Sequence, residues 1–315
     1  MPRPLKTFAG FIGQDPLVRH LKRLADGSKA RGLPLPALMF TGPAGVGKTS
    51  LANSLSAYYG TTLVARSAAA ITPTELARLV LGLSHADVFF VDEAHALPAA
   101  TESALLALND DLKVAVTEEK QVVLKSVVEH TLILATNRPG EVSKALRSRC
   151  HPFMFAEYTE RELVEIARNI AREKQLDVTT QALGMLAHHS EGRPRGVART
   201  IEAIARFCSG NTITRADAAD FLRSTGLDEQ GLTRAQSLYI GFLRKTPTRR
   251  MSVERLAALL GLDAAYLVDE IEPSLLSRGF IDITASGRTL LQDPAAQPQT
   301  IPTDGGNDDV DDDGT

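Results

Sequence analysis

The chain has 315 residues, 43% of them hydrophobic and 23% charged, which is typical of a protein that buries a core and is long enough for two or three domains. Its formal net charge is −3, but six aspartates lie in the last dozen residues, so the rest of the chain is mildly basic and nucleic-acid contact is permitted without being required. Two cysteines exclude a disulfide framework or a zinc site as the organising principle, and no segment approaches the ~18 to 20 apolar residues of a membrane span. We therefore expect a cytoplasmic protein without a membrane segment.

Short apolar runs alternate with amphipathic stretches between residues 35 and 155. Residues 37–40, 88–91 and 131–135 are predicted strands, because each run is brief, apolar and bounded by polar or turn residues. The apolar spacing of helices occurs in three ranges, residues 50–59, 74–81 and 102–109. Strands separated by helices need crossover connections, so this region predicts an α/β fold with a parallel sheet and helices on both faces.

A glycine-rich segment follows the first predicted strand. It fits the pattern G-x-x-x-x-G-K-[ST], in which backbone N–H groups surround a phosphate, Lys48 reaches the terminal phosphates and the Thr49 hydroxyl ligates Mg²⁺. A fortuitous glycine-rich turn is the alternative, and a strand before the segment and a helix after it argue against that reading. The residues predicted to bind the nucleotide here are Gly42, Pro43, Gly45, Val46, Gly47, Lys48, Thr49 and Ser50.

Two acids end the second predicted strand. Asp92 is expected to bind the magnesium, through water, and Glu93 to orient and deprotonate the attacking water, which distinguishes hydrolysis from nucleotide binding alone. An ordinary solvated turn is the alternative for this pair, and the role of His95 stays open between structural and catalytic.

Polar residues also follow the third predicted strand. The Asn137 amide is placed to contact the attacking water or the terminal phosphate at the carboxyl edge of the sheet. Arg147 and Arg149 lie in a short turn-forming segment, which suits an arginine finger reaching the γ-phosphate of a neighbouring subunit; a solvated surface turn is the alternative.

From residue 159 to 222 the apolar spacing is helical throughout, with no strand run, which predicts a small all-helical lid. Within it, Pro194 occupies the first turn of a new helix. Arg195 is predicted to fold back onto the nucleotide from this lid, so that the lid angle would report the state of the γ-phosphate.

Beyond Gly231, three helical stretches are followed by a strand, a glycine-bearing turn and a returning strand, which are the ingredients of a winged helix. Such a domain can hold duplex DNA through phosphate contacts, or it can bind a protein, and both readings stay open because the basic set is sparse. The predicted DNA contacts are Arg249, Arg250 and Arg288, the last on the turn, with Arg255 and Lys245 as further candidates.

Taken together, these motifs resemble an AAA+ ATPase and, within that class, the RuvB family of Holliday-junction branch-migration motors. The likeness covers about residues 8–290, and its most specific part is the segment from Ile271 to Phe280, which is similar to that family's winged-helix signature. The resemblance implies ATP and Mg²⁺ as cofactors, and it implies DNA (branched or duplex) and a hexameric homo-oligomeric ring as partners. The site roles that it implies are Ile12 and Tyr158 flanking the adenine, Asn137 as sensor 1, Arg149 as the trans finger and Arg195 as sensor 2.

Some segments depart from that family's pattern. Residues 114–124 still predict a hairpin, but the segment through which the family engages its junction-binding partner RuvA is longer and differently composed, so a RuvA-like partner stays open. Ser148-Arg149-Cys150 is instead similar to clamp-loader ATPases.

The predicted domains are an AAA+ P-loop core (residues 1–157), a helical lid (158–226), a winged-helix DNA-binding domain (227–292) and a disordered acidic tail (293–315). The predicted function is an ATP-dependent, ring-forming DNA motor that drives branch migration or translocation in recombination and repair. Two alternatives remain open: a clamp-loader-like ATPase that places another protein ring, and a regulatory ATPase that remodels a protein partner.

Overall fold

The computed structural model describes residues 8–118, 121–190, 192–228 and 231–291. The predicted tail over 293–315 lies outside these residues. The chain forms two compact units that divide between Phe221 and Leu222; the predicted boundaries at 157/158 and 226/227 stay predictions. None of the helices in these ranges is long and apolar enough to cross a membrane.

The first unit is built on a parallel sheet. Its strands in chain order are β1 (Leu38–Thr41), β2 (Leu63–Ser67), β3 (Val88–Asp92), β4 (Lys113–Glu118), β5 (Gln121–Ser126), β6 (Thr131–Thr136), β7 (His151–Met154), β8 (Asp177–Val178) and β9 (Thr212–Ile213). Five of them form the main sheet in the order β2-β3-β6-β1-β7. Strands β1 and β6 are buried along their whole length, as in a parallel sheet that is covered on both faces. The three strands predicted from sequence are confirmed as β1, β3 and β6.

The two outer strands of this sheet are absent from the sequence prediction. In β2 no residue is fully buried, and in β7 only Phe153 is. An edge strand has one neighbour and more solvent contact, so it carries no continuous apolar run that a sequence pattern could detect.

Helices cover the sheet and build the lid. They are α1 (Asp15–Ala30), α2 (Lys48–Tyr59), α3 (Pro73–Leu81), α4 (Ala99–Asp111), α5 (Lys144–Arg149), α6 (Glu160–Glu173), α7 (Thr180–His188), α8 (Pro194–Phe207) and α9 (Arg215–Ser224). Phe89 of β3 and Leu134 of β6 share a core with Leu76 of α3 and Leu105 of α4. Helix α2, which begins at the end of the glycine-rich loop, packs against β3 and β6. The predicted α/β class is confirmed.

The lid is not wholly helical. Helices α6, α7 and α8 pack on one another, but β8 and β9 pair in parallel beside them. The prediction of a lid without strands is therefore wrong in this detail. The pair has two residues on each side and serves to satisfy backbone groups of the connecting loops, for example where the Asp177 N–H donates to the Asn211 carbonyl. Elements this short leave no periodic signal in the sequence.

The predicted hairpin is confirmed as β4 and β5, which pair in antiparallel register from Lys113 opposite Ser126 to Glu118 opposite Gln121. Its second strand carries apolar side chains in solvent. Val122 is 72% exposed and Leu124 is 67% exposed. The face of β5 therefore has no partner within the described part of the chain.

The second unit is a winged helix, as predicted. Its elements are α10 (Arg234–Lys245), β10 (Arg250–Met251), α11 (Val253–Leu260), α12 (Ala264–Tyr266), a π-helical turn (Leu267–Ile271), α13 (Glu272–Ser277), β11 (Ile281–Thr284) and β12 (Gly287–Leu290). The strands form a sheet in the order β10-β12-β11, so β10 adds a short third strand to the predicted hairpin. A Cβ on Gly287 would lie 2.7 Å from the Met251 carbonyl oxygen, and only glycine permits this approach of β12 to β10.

Candidate nucleotide site

The glycine-rich loop joins the end of β1 to the start of α2. Gly42, Gly45 and Gly47 all have positive φ, a backbone conformation that glycine adopts without strain. The loop curls around the Lys48 ammonium, which donates hydrogen bonds to the carbonyl oxygens of Gly42 and Pro43, each at 2.8 Å. The strand–loop–helix context that the phosphate motif requires is therefore present.

Three charged side chains act on Lys48. Burial lowers the pKa of the Lys48 ammonium below its ordinary value, and the carboxylates of Asp92 and Glu93 oppose that effect. The guanidinium of Arg195 acts in the same direction as burial. The two acids and the lid arginine that the sequence singled out therefore lie within electrostatic reach of Lys48.

The acids stand at the carboxyl end of β3, next to the end of β6. Glu93 has φ 53°, an uncommon conformation for a residue with a side chain, and its N–H donates to Asp92 Oδ1 at 3.0 Å. His95 Nδ1 lies 3.0 Å from the Thr136 hydroxyl and 3.3 Å from Glu93 Oε2. The histidine thus links Glu93 to β6, which is a positioning role for a residue whose role the sequence left open.

Asn137 is exposed and directly follows β6. Strand β6 lies between β3 and β1, and Thr136 is in register with Thr41 at the mouth of the glycine-rich loop. The ends of the three strands therefore meet at one edge of the sheet, where ligands of parallel sheets bind. Asn137 is placed at this edge beside the predicted base.

The first turn of helix α8 in the lid lies directly on the phosphate loop. The Arg195 N–H lies 3.3 Å from the Gly45 carbonyl, to which it donates, and a Cβ on Gly45 would lie 2.8 Å from the Arg195 Cβ. Gly196 is equally constrained, since a Cβ there would lie 2.0 Å from the Ser190 carbonyl oxygen. The sequence indicated Arg195 but not this close packing.

The adenine side of the loop differs in part from the prediction. The Tyr158 hydroxyl donates to the Val46 carbonyl at 3.0 Å, and burial raises the pKa of that phenol to about 12. Ile12 is half-buried, whereas the neighbouring Phe11 ring reaches the loop: a Cβ on Gly47 would lie 3.2 Å from it. The sequence reasoning missed Phe11, although it assigned the next residue, Ile12, to the adenine.

Gln14 is a second residue that sequence reasoning left without a role. Its side-chain amide exchanges two hydrogen bonds with the backbone of Ala156, at 2.7 and 2.8 Å. This clamp holds the residues before α1 against the segment that follows β7, so it fixes the wall in which Phe11 and Tyr158 lie.

The donor set fits a magnesium nucleotide. Thr49 is exposed at the first turn of α2, and its hydroxyl with the Asp92 carboxylate offers the oxygen ligands that Mg²⁺ prefers. Over the described ranges no group of three or more histidine, cysteine or acidic side chains could hold a metal by itself. The ion would therefore be held by Thr49 and Asp92 together with phosphate oxygens and water.

Arg149, the predicted trans finger, has its contacts elsewhere. It ends α5, where its Nε and Nη2 donate to the two carboxylate oxygens of Asp110, each at 2.7 Å, and its Nη1 donates to the Ala145 carbonyl at 3.2 Å. The hydrogen bonds raise the pKa of the guanidinium and lower that of the Asp110 carboxyl.

Comparison with known proteins places this site in a family. Residues 3–155 match the family model of the Holliday junction DNA helicase RuvB P-loop domain, and residues 229–294 match the RuvB C-terminal winged helix domain. The Holliday junction branch migration complex subunit RuvB of Campylobacter fetus subsp. fetus is 33% identical over 297 residues, covering 91% of this chain and 86% of the relative. The chain belongs to the RuvB family.

Other RuvB proteins agree over the same extent. The RuvB subunit of Desulfosudis oleivorans is 32% identical over 295 residues, covering 90% of this chain and 86% of the relative. The solved structure of the Thermotoga maritima RuvB Holliday junction branch migration motor superimposes with a TM-score of 0.75 at 28% identity, covering 92% of this chain and 95% of that one. The RuvB fold therefore extends over both units of the chain.

In this RuvB-family chain one of the predicted DNA contacts, Arg288, binds a buried carboxylate of the winged-helix unit. The prediction that Arg288 lies on the turn is wrong, because it lies in β12 opposite Ile283. Its Nε and Nη2 donate to the two carboxylate oxygens of Glu272 at 2.8 and 3.1 Å, and Glu272 also accepts a hydrogen bond from Tyr239 at 2.9 Å. Glu272 and Tyr239 are buried, so Arg288 supplies the charge that a buried carboxylate requires.

The other two predicted contacts are at the surface. Arg249 and Arg250 are exposed, and Arg250 belongs to β10, at the edge of the winged-helix sheet. Arg250 donates to the hydroxyls of Thr289 and Ser286, at 3.2 and 2.7 Å. The helical side has the opposite charge: no lysine or arginine occurs between Arg255 and Arg278, while Asp263, Asp269 and Glu270 are exposed.

Proposed function

We propose that this RuvB-family chain is an ATP-hydrolysing motor that assembles into a hexameric ring and drives branch migration or translocation on branched or duplex DNA, in recombination and repair. Its relatives support this reading, since they are named subunits of a Holliday junction branch migration complex and a branch migration motor. A protein acting on bacterial DNA would work in the cytoplasm.

The observation that carries the proposal is the different placement of two arginines. Arg195 lies on the phosphate loop of its own chain, whereas Arg149 is held by Asp110. The phosphate loop has its own lysine and a lid arginine, and a further arginine from a neighbouring subunit can stabilise the charge that develops on the γ-phosphate in the transition state. In a ring, Arg149 of the next protomer would supply that cation, so hydrolysis would require assembly.

Each residue of the site then has a role in the reaction. The backbone N–H groups of the loop and Lys48 would bind the phosphates, and Tyr158 would help shape the base pocket from the far side of the loop. Glu93, oriented by His95, would take a proton from the attacking water while Asn137 positions that water. Thr49 and Asp92 would hold a magnesium ion, which would supply positive charge against the phosphate oxygens. Arg195 would couple the lid to the γ-phosphate.

A concentration series tests the proposal. We expect the ATPase rate per protomer to rise with protein concentration as rings assemble, and to rise further with a synthetic four-way DNA junction. An ATP-dependent branch migration assay on the same junction should be positive. A rate that is constant down to high dilution and indifferent to DNA would refute the motor. Stimulation by a protein ring and not by the junction would favour the clamp-loader alternative.

For DNA contact, we propose the β10 edge of the winged helix with Arg249 and Arg250. Phosphate contacts of this kind give strength without sequence preference, which suits translocation. The acidic helical side would repel a phosphate backbone. Arg288 is the least suited of the three predicted contacts, because its guanidinium already binds Glu272.

A protein partner at the hairpin is a further part of the proposal. The exposed Val122 and Leu124 of β5 favour an apolar contact with another protein, for which a RuvA-like junction-binding protein is the candidate. Val122→Asp should then abolish stimulation by such a partner while leaving the ATPase of the isolated ring unchanged. If a partner binds the Val122→Asp variant with parental affinity, the proposal that this surface contacts the partner is refuted.

A further inference from the structure

Within the described part of the chain, the hydrogen bonds of Arg149 use three N–H groups of its guanidinium and leave two without an acceptor. A guanidinium has five N–H donors. Asp110 takes one from Nε and one from Nη2, and the Ala145 carbonyl takes one from Nη1. One N–H therefore remains on each terminal nitrogen. A phosphate can accept hydrogen bonds from both terminal nitrogens of one guanidinium.

The ion pair of Arg149 and Asp110 lies at the surface of the protomer. Asp110 and Arg149 belong to the last turns of α4 and α5, two helices that pack together. The Arg149 side chain is 38% exposed and the Asp110 side chain 42%. Both residues lie at the surface, yet all three nitrogen atoms of the guanidinium are bound within the protomer.

We propose that Asp110 is the positioning residue for Arg149, holding the guanidinium so that its two remaining N–H groups face a neighbouring protomer's γ-phosphate. The inference rests on the proposed function, because it requires Arg149 to act in trans. An unrestrained arginine samples many rotamers, and a phosphate contact must then order the side chain during the reaction. A carboxylate that has already ordered it removes that cost from the catalytic step.

A purely structural reading of the pair makes a different prediction. An exposed ion pair contributes little to the stability of a fold, so removal of Asp110 would leave both folding and turnover unchanged. In a second alternative, the Asp110 carboxylate competes with the γ-phosphate for the Arg149 guanidinium. Removal of Asp110 would then make turnover faster. The two alternatives and the positioning role therefore differ in the sign of the effect on kcat.

The first experiment compares Asp110→Asn with Asp111→Asn in the full chain, at a protein concentration where the parental rings are assembled. Asp111 is the next residue of the same helix and is also exposed. We expect Asp110→Asn to lower kcat by about 10- to 100-fold with KM for ATP unchanged, because an arginine finger is worth about 10³ to 10⁵ and misplacement loses part of that. Asp111→Asn should keep the parental kcat. A parental or increased kcat in Asp110→Asn would overturn the proposal.

The second experiment mixes two variants to show in which active site Asp110 acts. An Asp110→Asn protomer has an intact ATP site and a misplaced finger, whereas a Glu93→Gln protomer has an inactive site and a correctly held finger. In mixed rings the Glu93→Gln protomer would supply its correctly held Arg149 to the intact ATP site of its Asp110→Asn neighbour. We expect the mixture to hydrolyse ATP faster than the sum of the two variants measured separately.

A parallel mixture separates this inference from the proposed function. Arg149→Ala mixed with Glu93→Gln should also complement, and if it does not, the trans site itself is refuted together with the role of Asp110. If that mixture complements and the one with Asp110→Asn does not, only the role of Asp110 is refuted. Asp110→Glu should recover part of the lost kcat, since the longer carboxylate can still bind the guanidinium; recovery by Glu and not by Asn excludes a role in helix packing alone.

Discussion

The nucleotide-binding unit and the winged-helix unit each contain an arginine bound by both oxygens of a carboxylate, and the two pairs differ in burial. Arg149 and Asp110 are 38% and 42% exposed, whereas Arg288 and Glu272 are 16% and 1% exposed. The bonds are similar in geometry. The two pairs differ in the burial of the carboxylate, and a buried carboxylate such as that of Glu272 cannot release its partner without a large desolvation cost.

The largest effect should come from Arg149→Ala, compared with Arg147→Ala on the same short helix. We expect kcat to fall by about 10³ to 10⁵, the worth of an arginine finger in phosphoryl transfer, with ATP affinity retained because the proposed phosphate contacts of Lys48 are unchanged. Arg147→Ala should be near parental. Steady-state ATPase assays measure kcat, and nucleotide titrations measure ATP affinity. Parental turnover in Arg149→Ala would show that Arg149 is not a trans finger.

Glu93→Gln should lower kcat by about 10² to 10⁴, the range for loss of a general base, while ATP binding persists. The glutamine keeps the size and the contact with His95 but cannot accept a proton at neutral pH. Single-turnover assays should show ATP bound and not hydrolysed. Normal turnover would show that another group activates the water.

In the winged helix, Glu272→Ala should destabilise the unit by about 3 to 5 kcal/mol, because it leaves the buried part of Arg288 and the Tyr239 hydroxyl without their acceptor. Glu270→Ala, at an exposed position two residues earlier, should stay within about 0.5 kcal/mol. Denaturant unfolding of the full chain measures the difference. Equal stability of the two variants would mean that the pair is not a core element.

The smallest effect should be that of Arg250→Ala on DNA binding. One phosphate contact fewer should reduce the slope of log K against log salt concentration by about one, equally for different sequences. Fluorescence anisotropy with labelled duplex over a salt series gives the slope. If Arg250→Ala leaves the slope unchanged, the phosphate contact proposed for Arg250 is refuted.

The sequence was sufficient to predict the phosphate loop and the acids at the end of β3, because those motifs are local, but not the contacts of Phe11 and Gln14 beside them. The glycines from Gly42 to Gly47, the lysine and the acids at the end of β3 act through backbone conformations and strand ends that short motifs encode directly. The winged helix was also predictable in outline, from helical spacing followed by a strand, a turn and a strand. The edge strands β2 and β7 were not, since strands with little burial lack an apolar pattern.

The contacts that assign roles came from the tertiary structure. Alternation along β12 places Arg288 on one face, but only packing shows that this face meets Glu272, which lies 16 residues earlier in the chain. In the same way, 39 residues separate Asp110 from Arg149, and 142 separate Gln14 from Ala156. The sequence by itself determined which residues can bind a phosphate, a metal or a proton, because those properties belong to the side chain and its neighbours in the chain. Only the folded structure decided which of them are used internally, because that depends on what distant segments bring alongside them.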